Sequence, residues 1–244
     1  MADRVAVVTG ASRGIGAAIA RRLARDGFAV LVNHRDSAAQ AAAVVASIEA
    51  QGGSAAAVRG DVGNGADVAR LFDEAEARFG KVTAVVSNAG RALHKLLAST
   101  AEEEFDALVS TNFRGTFLVL AEAARRLADG GRIVTISASF QAGPVATYGP
   151  YAATKAAIEK MTEVAAKELG PRGITVNAVR PGPTRTAIFL EGKSDALVKG
   201  IARQVALGRI GEPEDVAEVV AFLASPQAGW VTGQLIGANG GFWT

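Results

Sequence analysis

Tyr151 and Lys155 stand four residues apart in the stretch YAATK, a spacing that puts both side chains on one face of a helix and within reach of each other. A phenol ionises near pH ~10, too high for easy proton exchange at neutral pH, and a neighbouring ammonium favours the phenolate and lowers that value. The pair therefore predicts a tyrosine usable as an acid or a base. In an arbitrary helix the same spacing describes a surface contact and nothing more, so the pair carries weight only through its surroundings. Two hydroxyls, Ser137 and Ser139, precede the tyrosine in SASF, and Asn112 lies upstream in a stretch of helical character.

These residues need elements to position them. Short runs at residues 5–8, 29–33, 55–59, 84–87, 132–137, 174–179 and 234–238 are apolar on both faces and bounded by Gly, Asp, Asn or Pro. That pattern predicts strands of a parallel sheet covered by helices on both sides. Between them lie Ala-rich segments of helical period, such as residues 38–50, with Ser37 as N-cap and Gly52-Gly53 as terminator, and residues 152–169, stopped by GPRG. A regular alternation of strand and helix predicts a doubly wound α/β sheet of about seven strands with right-handed crossovers. With 244 residues, 49% of them hydrophobic, residues 1–244 are expected to form one domain around one core.

The turn TGASRGIG then acquires a purpose. Gly10, Gly14 and Gly16, with Ser12, Arg13 and Ile15 between them, follow the first strand and open the first helix. Here backbone N–H groups can approach a pyrophosphate and the helix N-terminus supplies favourable partial charge. The spacing G-x-x-x-G-x-G differs from the usual G-x-G-x-x-G, and a glycine-rich turn can also be purely structural. No Gly-Lys-Ser/Thr follows, which excludes a phosphate-binding P-loop. The second strand ends in Asn33, His34 and Arg35, without the acidic residue that would take a ribose 2′-OH. Arg13 and Arg35, helped by the Ser37 hydroxyl, can instead meet a 2′-phosphate, provided Asp36 points away. NADPH/NADP+ is the expected cofactor.

Composition removes other classes. The net charge of +2 comes from 26 basic and 24 acidic residues scattered along the chain, so no basic patch for nucleic acid is expected. Without cysteine there is no disulfide and no thiolate metal site, and His34 and His94 are sixty residues apart, a poor metal constellation. No apolar run approaches the roughly 18 residues of a membrane span, and the start MADRVAVVTGAS has no leader pattern, so a cytoplasmic protein without membrane contact is expected.

Further motifs fall on later strand ends: Asp61-Val62 after the third, SNAG (Ser87, Asn88, Ala89, Gly90) after the fourth, YAATK after the fifth, and RPGPTRT, with Pro181, Gly182, Thr184 and Thr186, after the sixth. With these in order, the chain resembles the short-chain dehydrogenase/reductase family, 3-oxoacyl reductases among its members, from residue 4 to the C-terminal GANGG. The resemblance implies a Rossmann domain and NADP(H) chemistry on CH–OH and carbonyl groups. It implies that Tyr151 exchanges the substrate proton, that Lys155 also holds the nicotinamide ribose, that Asn112 anchors a water of the proton relay, and that these strand-end turns contact the cofactor. The family's serine stands thirteen positions before the tyrosine, which here is Ala138. Ser139 is preferred over Ser137, because slack in the loop lets it occupy the site, whereas Ser137 alternates to the opposite face from residue 138. Ser87 replaces the usual first Asn of its turn. Family members are commonly tetramers, and Ala152, Ala153, Ala156 and Ala157 would let a partner helix approach closely, so a homotetramer is expected.

A carbonyl reductase acting on a small molecule is the favoured function. The walls expected near the nicotinamide are Phe140, Gln141, Ala142, Pro144, Val145, Tyr148 and Pro183, with residues 188–190 as a lid, a mainly apolar set that suits an apolar ketone or 3-oxo ester. A 3-oxoacyl thioester is the nearest competitor, although Arg172 beside Asp129 makes a weak site for an acidic carrier protein. A dehydrogenase oxidising a sugar or steroid alcohol is the alternative. An NADP-binding regulator is another, but should lack the Tyr/Lys pair. His94 is expected at the rim, and Phe242 and Trp243 in a core or an interface.

Overall fold

The strand Val5–Val8 (β1) buries all four of its side chains, Val5 and Val7 in one apolar cluster, Ala6 and Val8 in another. This is why the sequence there is apolar on both faces: the sheet is covered on both sides. The computed structural model describes residues 2–139 and 145–242. β1 is joined by Ala29–His34 (β2), Ser54–Arg59 (β3), Ala84–Ser87 (β4), Arg132–Ile136 (β5), Thr175–Pro181 (β6) and Leu235–Ala238 (β7). All pair in parallel, in the order β3-β2-β1-β4-β5-β6-β7.

One face carries Gly14–Arg25 (α1) and Ala38–Glu49 (α2), whose Ile19, Leu23, Val44 and Ile48 are buried against the sheet. The other face carries Gly65–Phe79 (α3), with Leu71 and Phe72 buried. Glu102–Val109 (α4) runs through a π-helical turn, Ser110–Arg114, into Gly115–Arg126 (α5). Gly149–Leu169 (α6) follows β5, and Ala187–Leu190 (α7) and Asp195–Ala202 (α8) follow β6. Pro213–Ala224 (α9) returns to the α1 face through Val220 and Leu223.

The sequence expectations hold with shifted edges. β6 runs on to Pro181, so Arg180 and Pro181 belong to the strand rather than to the turn. α6 starts at Gly149, with Pro150 in its first turn, where a missing N–H costs no intrahelical bond. Ser37 holds the N-cap position of α2, but its hydroxyl makes no capping bond. The chain leaves β3 and crosses over to β4, so the order reverses beside β1. In open α/β sheets that point of reversal, at the carboxyl ends of β1 and β4, is where ligands bind. Among the described residues, no helix is long and apolar enough to cross a membrane.

Candidate active site

The β1–α1 turn is packed directly against the turn after β4. Gly10 has φ +61°, and a Cβ on it would stand 2.8 Å from Ala89 Cα; one on Gly16 would stand 2.4 Å from Asn88 Nδ2. Only glycine lets the two turns approach this closely. Thr9, which the sequence reading missed although it stands at the strand end beside Gly10, ties them: its Oγ1 accepts from the N–H groups of Asn88 (3.0 Å) and Ala89 (3.1 Å). Asn88 Nδ2 donates back to the carbonyls of Thr9 (2.9 Å) and Gly10 (3.1 Å). Asn33 Oδ1 accepts from the Gly10 N–H at 3.1 Å while its Nδ2 donates to Gly60 O at 2.9 Å. The side chains of Asn33 and Asn88 thus brace the turn, which leaves any contact to a cofactor here to the backbone.

What the brace presents is the start of α1. Arg13 at its N-cap is extended and forms no side-chain cap, and the first turn holds no acidic residue. α3, by contrast, is closed by Asn64 Oδ1, which accepts from the N–H groups of Ala66 and Asp67. The uncapped N–H groups of α1, around Gly14, Ile15 and Gly16, retain the positive end of the helix for an anion. Thr186 lies across from them: a Cβ on Gly14 would be 3.3 Å from its Cγ2. The Thr186 hydroxyl accepts from the Phe189 N–H (3.2 Å) and caps α7, and Thr184 Oγ1 donates to Gly182 O (2.9 Å).

Beyond the end of β2 lies a cavity of about 460 Å³ lined by Arg35, Asp36, Arg59, Asp61, Asp67 and Arg70. Asp36 is turned onto arginines, 2.7 Å from Arg35 Nε and 3.8 Å from Arg59 Nη2. Arg59 pairs with His34 across the β2–β3 register, a non-local neighbourhood invisible to local sequence spacing. His34 Nδ1 is buried without a hydrogen-bond partner, and burial, aided by the Arg59 charge, holds the imidazole below its ordinary pKa. An uncapped helix start at one end, and cationic groups with an orphaned ring nitrogen at the other, suit a phosphorylated dinucleotide. Asp61 Oδ1 accepts from the Gly63 N–H at 2.9 Å, and Val62 is buried in the core, so both first serve their own turn.

The reactive groups gather over Gly90, where a Cβ would lie 3.5 Å from both Asn112 Oδ1 and Lys155 Nζ. Asn112 is fully buried in the π-helical turn. Its Oδ1 accepts from the Arg91 N–H (2.8 Å), and its Nδ2 donates to Arg91 O (3.0 Å) and to Thr154 Oγ1 (3.2 Å). Lys155 Nζ donates to Ile136 O (2.8 Å) and lies 5.8 Å from the centre of the Tyr151 ring. Burial pushes the Lys155 ammonium down to about 8, against the pull of the Glu159 carboxylate. Burial, with Tyr148 adding to it, pushes the Tyr151 phenol above its ordinary value. The expectation that the lysine brings this value down is therefore corrected. The ammonium is directed at a backbone carbonyl, and desolvation outweighs its attraction.

The two serines part company. Ser137 Oγ donates to Glu159 Oε1 (2.7 Å) beneath α6, whereas Ser139 Oγ donates to Arg180 O (2.9 Å) and accepts from Asn239 Nδ2 (3.2 Å). His94 is exposed, but it is more than a solvated rim residue: its ring stacks on Tyr148 at 4.3 Å and stands edge-on to Tyr151 at 6.4 Å. Lys193 Nζ sits 5.0 Å from the centre of the Phe189 ring in the expected lid. The Arg172 guanidinium is engaged by Asp129 (2.7 Å) and by the carbonyls of Ala124 and Leu127. Phe242 is buried. Phe140, Gln141, Ala142, Pro144 and Trp243 lie outside the described residues.

A family model described as enoyl-(acyl carrier protein) reductase matches residues 10–243. A short-chain type dehydrogenase/reductase of Picea abies is 44% identical, over 99% of this chain and 93% of its own length. The NADPH-dependent aldehyde reductase 2, chloroplastic, of Arabidopsis thaliana is 41% identical, over 99% of this chain and 94% of its own. A solved short chain dehydrogenase from Burkholderia cenocepacia, in complex with NADP, superposes with a TM-score of 0.92 at 38% identity, covering 98% of this chain and 97% of that one.

Proposed function

The chain belongs to the short-chain dehydrogenase/reductase family, and from that premise we propose that this oxidoreductase is an NADPH-dependent carbonyl reductase with Tyr151 as proton donor. The observation that carries this assignment is the convergence of Asn112 and Lys155 on Gly90, with the Tyr151 ring 5.8 Å from the ammonium. When bound, the dihydronicotinamide supplies the hydride. Gly10, Ser12, Arg13 and the N–H groups of α1 would hold the pyrophosphate, Ala89, Gly90, Pro181, Gly182, Thr184 and Thr186 the nicotinamide end, and Asp61 and Val62 the adenine end. Lys155 Nζ would hold the ribose hydroxyls. Tyr151, protonated at neutral pH, gives its proton to the carbonyl oxygen, and the phenolate that forms is stabilised by the Lys155 ammonium 5.8 Å from its ring. Asn112 steadies the path by which the phenol is reprotonated. Oxidation of NADPH in the presence of a ketone panel tests the function as a whole.

Ser139 is the serine assigned to the substrate oxygen: the Ser137 hydroxyl donates to the buried Glu159 carboxylate at 2.7 Å, a charge-assisted bond, whereas the Ser139 hydroxyl donates to a neutral backbone carbonyl, Arg180 O, at 2.9 Å and is the more readily redirected of the two. Ser139→Ala should lower kcat/KM by about tenfold or more, the value of a hydrogen bond to developing charge, and Ser137→Ala by less. The reverse order in steady-state kinetics would transfer the role to Ser137.

NADPH is preferred over NADH, with Arg35, His34, Ser37 and Arg59 receiving the 2′-phosphate. Arg35→Ala is expected to weaken NADPH binding about tenfold or more while changing NADH affinity little, since a charge-assisted hydrogen bond contributes about 1.5–3 kcal/mol. Fluorescence titration with both nucleotides measures it, and tighter binding of NADH by the unmodified chain would refute the preference. The rings of His94 and Tyr148 beside Tyr151, together with the apolar Ile188 and Phe189 of the segment after β6, support an apolar ketone or 3-oxo ester as substrate. Exposed Leu97, Phe105, Phe113 and Phe117 in the segments before and within α5 support assembly as a homotetramer through apolar faces.

A further inference from the structure

One turn of α6 beyond Lys155, the carboxylate of Glu159 is buried, with 4% of the residue exposed. It accepts two hydrogen bonds from the Arg180 guanidinium, Nε to Oε1 at 2.8 Å and Nη2 to Oε2 at 2.6 Å, and one from Ser137 Oγ at 2.7 Å. The Ser137 hydroxyl also lies 3.4 Å from the Lys155 carbonyl. At its other end, Arg180 bears on the second half of the site. Its carbonyl accepts from Ser139 Oγ at 2.9 Å, and the next carbonyl, Pro181 O, accepts from the Ser139 N–H at 3.0 Å. One forked ion pair thus spans from the helix of Tyr151 and Lys155 to the strand end that holds Ser139.

We propose that Glu159 and Arg180 are positioning residues of the catalytic site, their ion pair locking the Tyr151–Lys155 helix against the strand end of Ser139 and balancing the charge beneath Lys155. This rests on the carbonyl-reductase function proposed above. A buried pair of this kind is a poor source of net stability, because desolvating both ions offsets most of their attraction. Its geometry is nevertheless specific: a bidentate fork fixes both distance and orientation. Among the described residues, the ionisable groups facing Lys155 are Tyr151 and Glu159 from its own helix and Arg180, through Glu159, from β6. Asn112 from the π-helical turn and Ser137 from the end of β5 are neutral. Glu159 alone among them raises the affinity of Lys155 for its proton, and Arg180 offsets part of that effect.

Two single variants should therefore move the lysine in opposite directions. Glu159→Gln keeps the shape and the bond to Ser137 but leaves the Arg180 cation uncompensated, so Lys155 loses its proton at lower pH. Arg180→Met leaves the carboxylate unpaired, so Lys155 keeps its proton to higher pH. Each midpoint is expected to move by about one pH unit. The experiment is an NMR titration of 13C-labelled lysine in the cofactor-free chain, read beside kcat, KM and the NADPH dissociation constant. In each variant kcat should fall about tenfold or more through loss of alignment, with KM and the NADPH dissociation constant within about threefold of the unmodified chain. In the double variant Glu159→Gln/Arg180→Met, the lysine should titrate near its original midpoint while kcat stays low, because the charges are balanced but the strut is gone. Midpoints that stay put or move the same way in both single variants, or an undiminished kcat in the double variant, would overturn the proposal. If the unmodified chain reduces no carbonyl, the proposed function fails by itself, while the lysine titration still reports on the ion pair.

Discussion

Tyr151→Phe is expected to lower kcat for ketone reduction by about 10²–10⁴-fold, the usual worth of a positioned general acid, while leaving the NADPH dissociation constant within about twofold. The substitution keeps the ring, so the packing against His94 and Tyr148, with ring centres 6.4 and 6.3 Å away, is retained. What it removes is the proton. Because burial holds the phenol above its ordinary pKa, Tyr151 is fully protonated across the neutral range, while the neighbouring Lys155 Nζ is directed at Ile136 O. Parallel loss of turnover and cofactor affinity would instead mean that the ring change had disturbed the fold. Substantial residual turnover would move the proton donor to another residue.

Lys155→Met should cost both properties. The aliphatic replacement fills most of the volume of the buried stem, so the loss reports on the ammonium rather than on a cavity. We expect turnover to fall by about 10²-fold or more and NADPH affinity by about tenfold, as one charge-assisted bond to the ribose disappears. The pH dependence gives a sharper sign. Burial depresses the lysine pKa to about 8, so the ammonium is present below that pH and is lost as the pH rises through it. In the unmodified chain kcat/KM for reduction, which reports the free enzyme, should be level below about pH 8 and decline above it. In Lys155→Met that decline should vanish. A decline that persists unchanged in the variant would assign it to another group.

The contrast between what the sequence discloses and what it withholds follows from the range of each interaction. β1 was legible because covering both faces of a strand demands apolar residues throughout, as in Val5–Val8. Tyr151 and Lys155 were legible because four residues is one turn of helix. Thr9, Arg59 and Thr154 were not. Each acts on a partner brought near by the sheet or by the packing of helices, such as Asn88 for Thr9 and Asn112 for Thr154, and no local spacing encodes that meeting. Asn33 and Asn88 were legible at the turns, but the bracing by their side chains was not, since their partners, Gly10 and Gly60 for Asn33 and Thr9 and Gly10 for Asn88, lie on other strand ends. The direction of the Tyr151 shift was misread for the same reason: the proximity of the lysine follows from spacing, whereas the burial that outweighs it is a property of the packed site.

The central claim, that this chain uses NADPH to reduce a carbonyl group, is tested most directly by following NADPH oxidation together with product analysis across one panel. The panel comprises aliphatic and aryl ketones, 3-oxo esters, a 3-oxoacyl thioester, an enoyl thioester, and polyols with NADP+. The account predicts stoichiometric formation of alcohol from ketones or 3-oxo esters, with kcat/KM higher for NADPH than for NADH and with the carbon–carbon double bond of the enoyl substrate left untouched. NADPH binding without reduction of any carbonyl, or turnover confined to the enoyl thioester or to polyols, would contradict it.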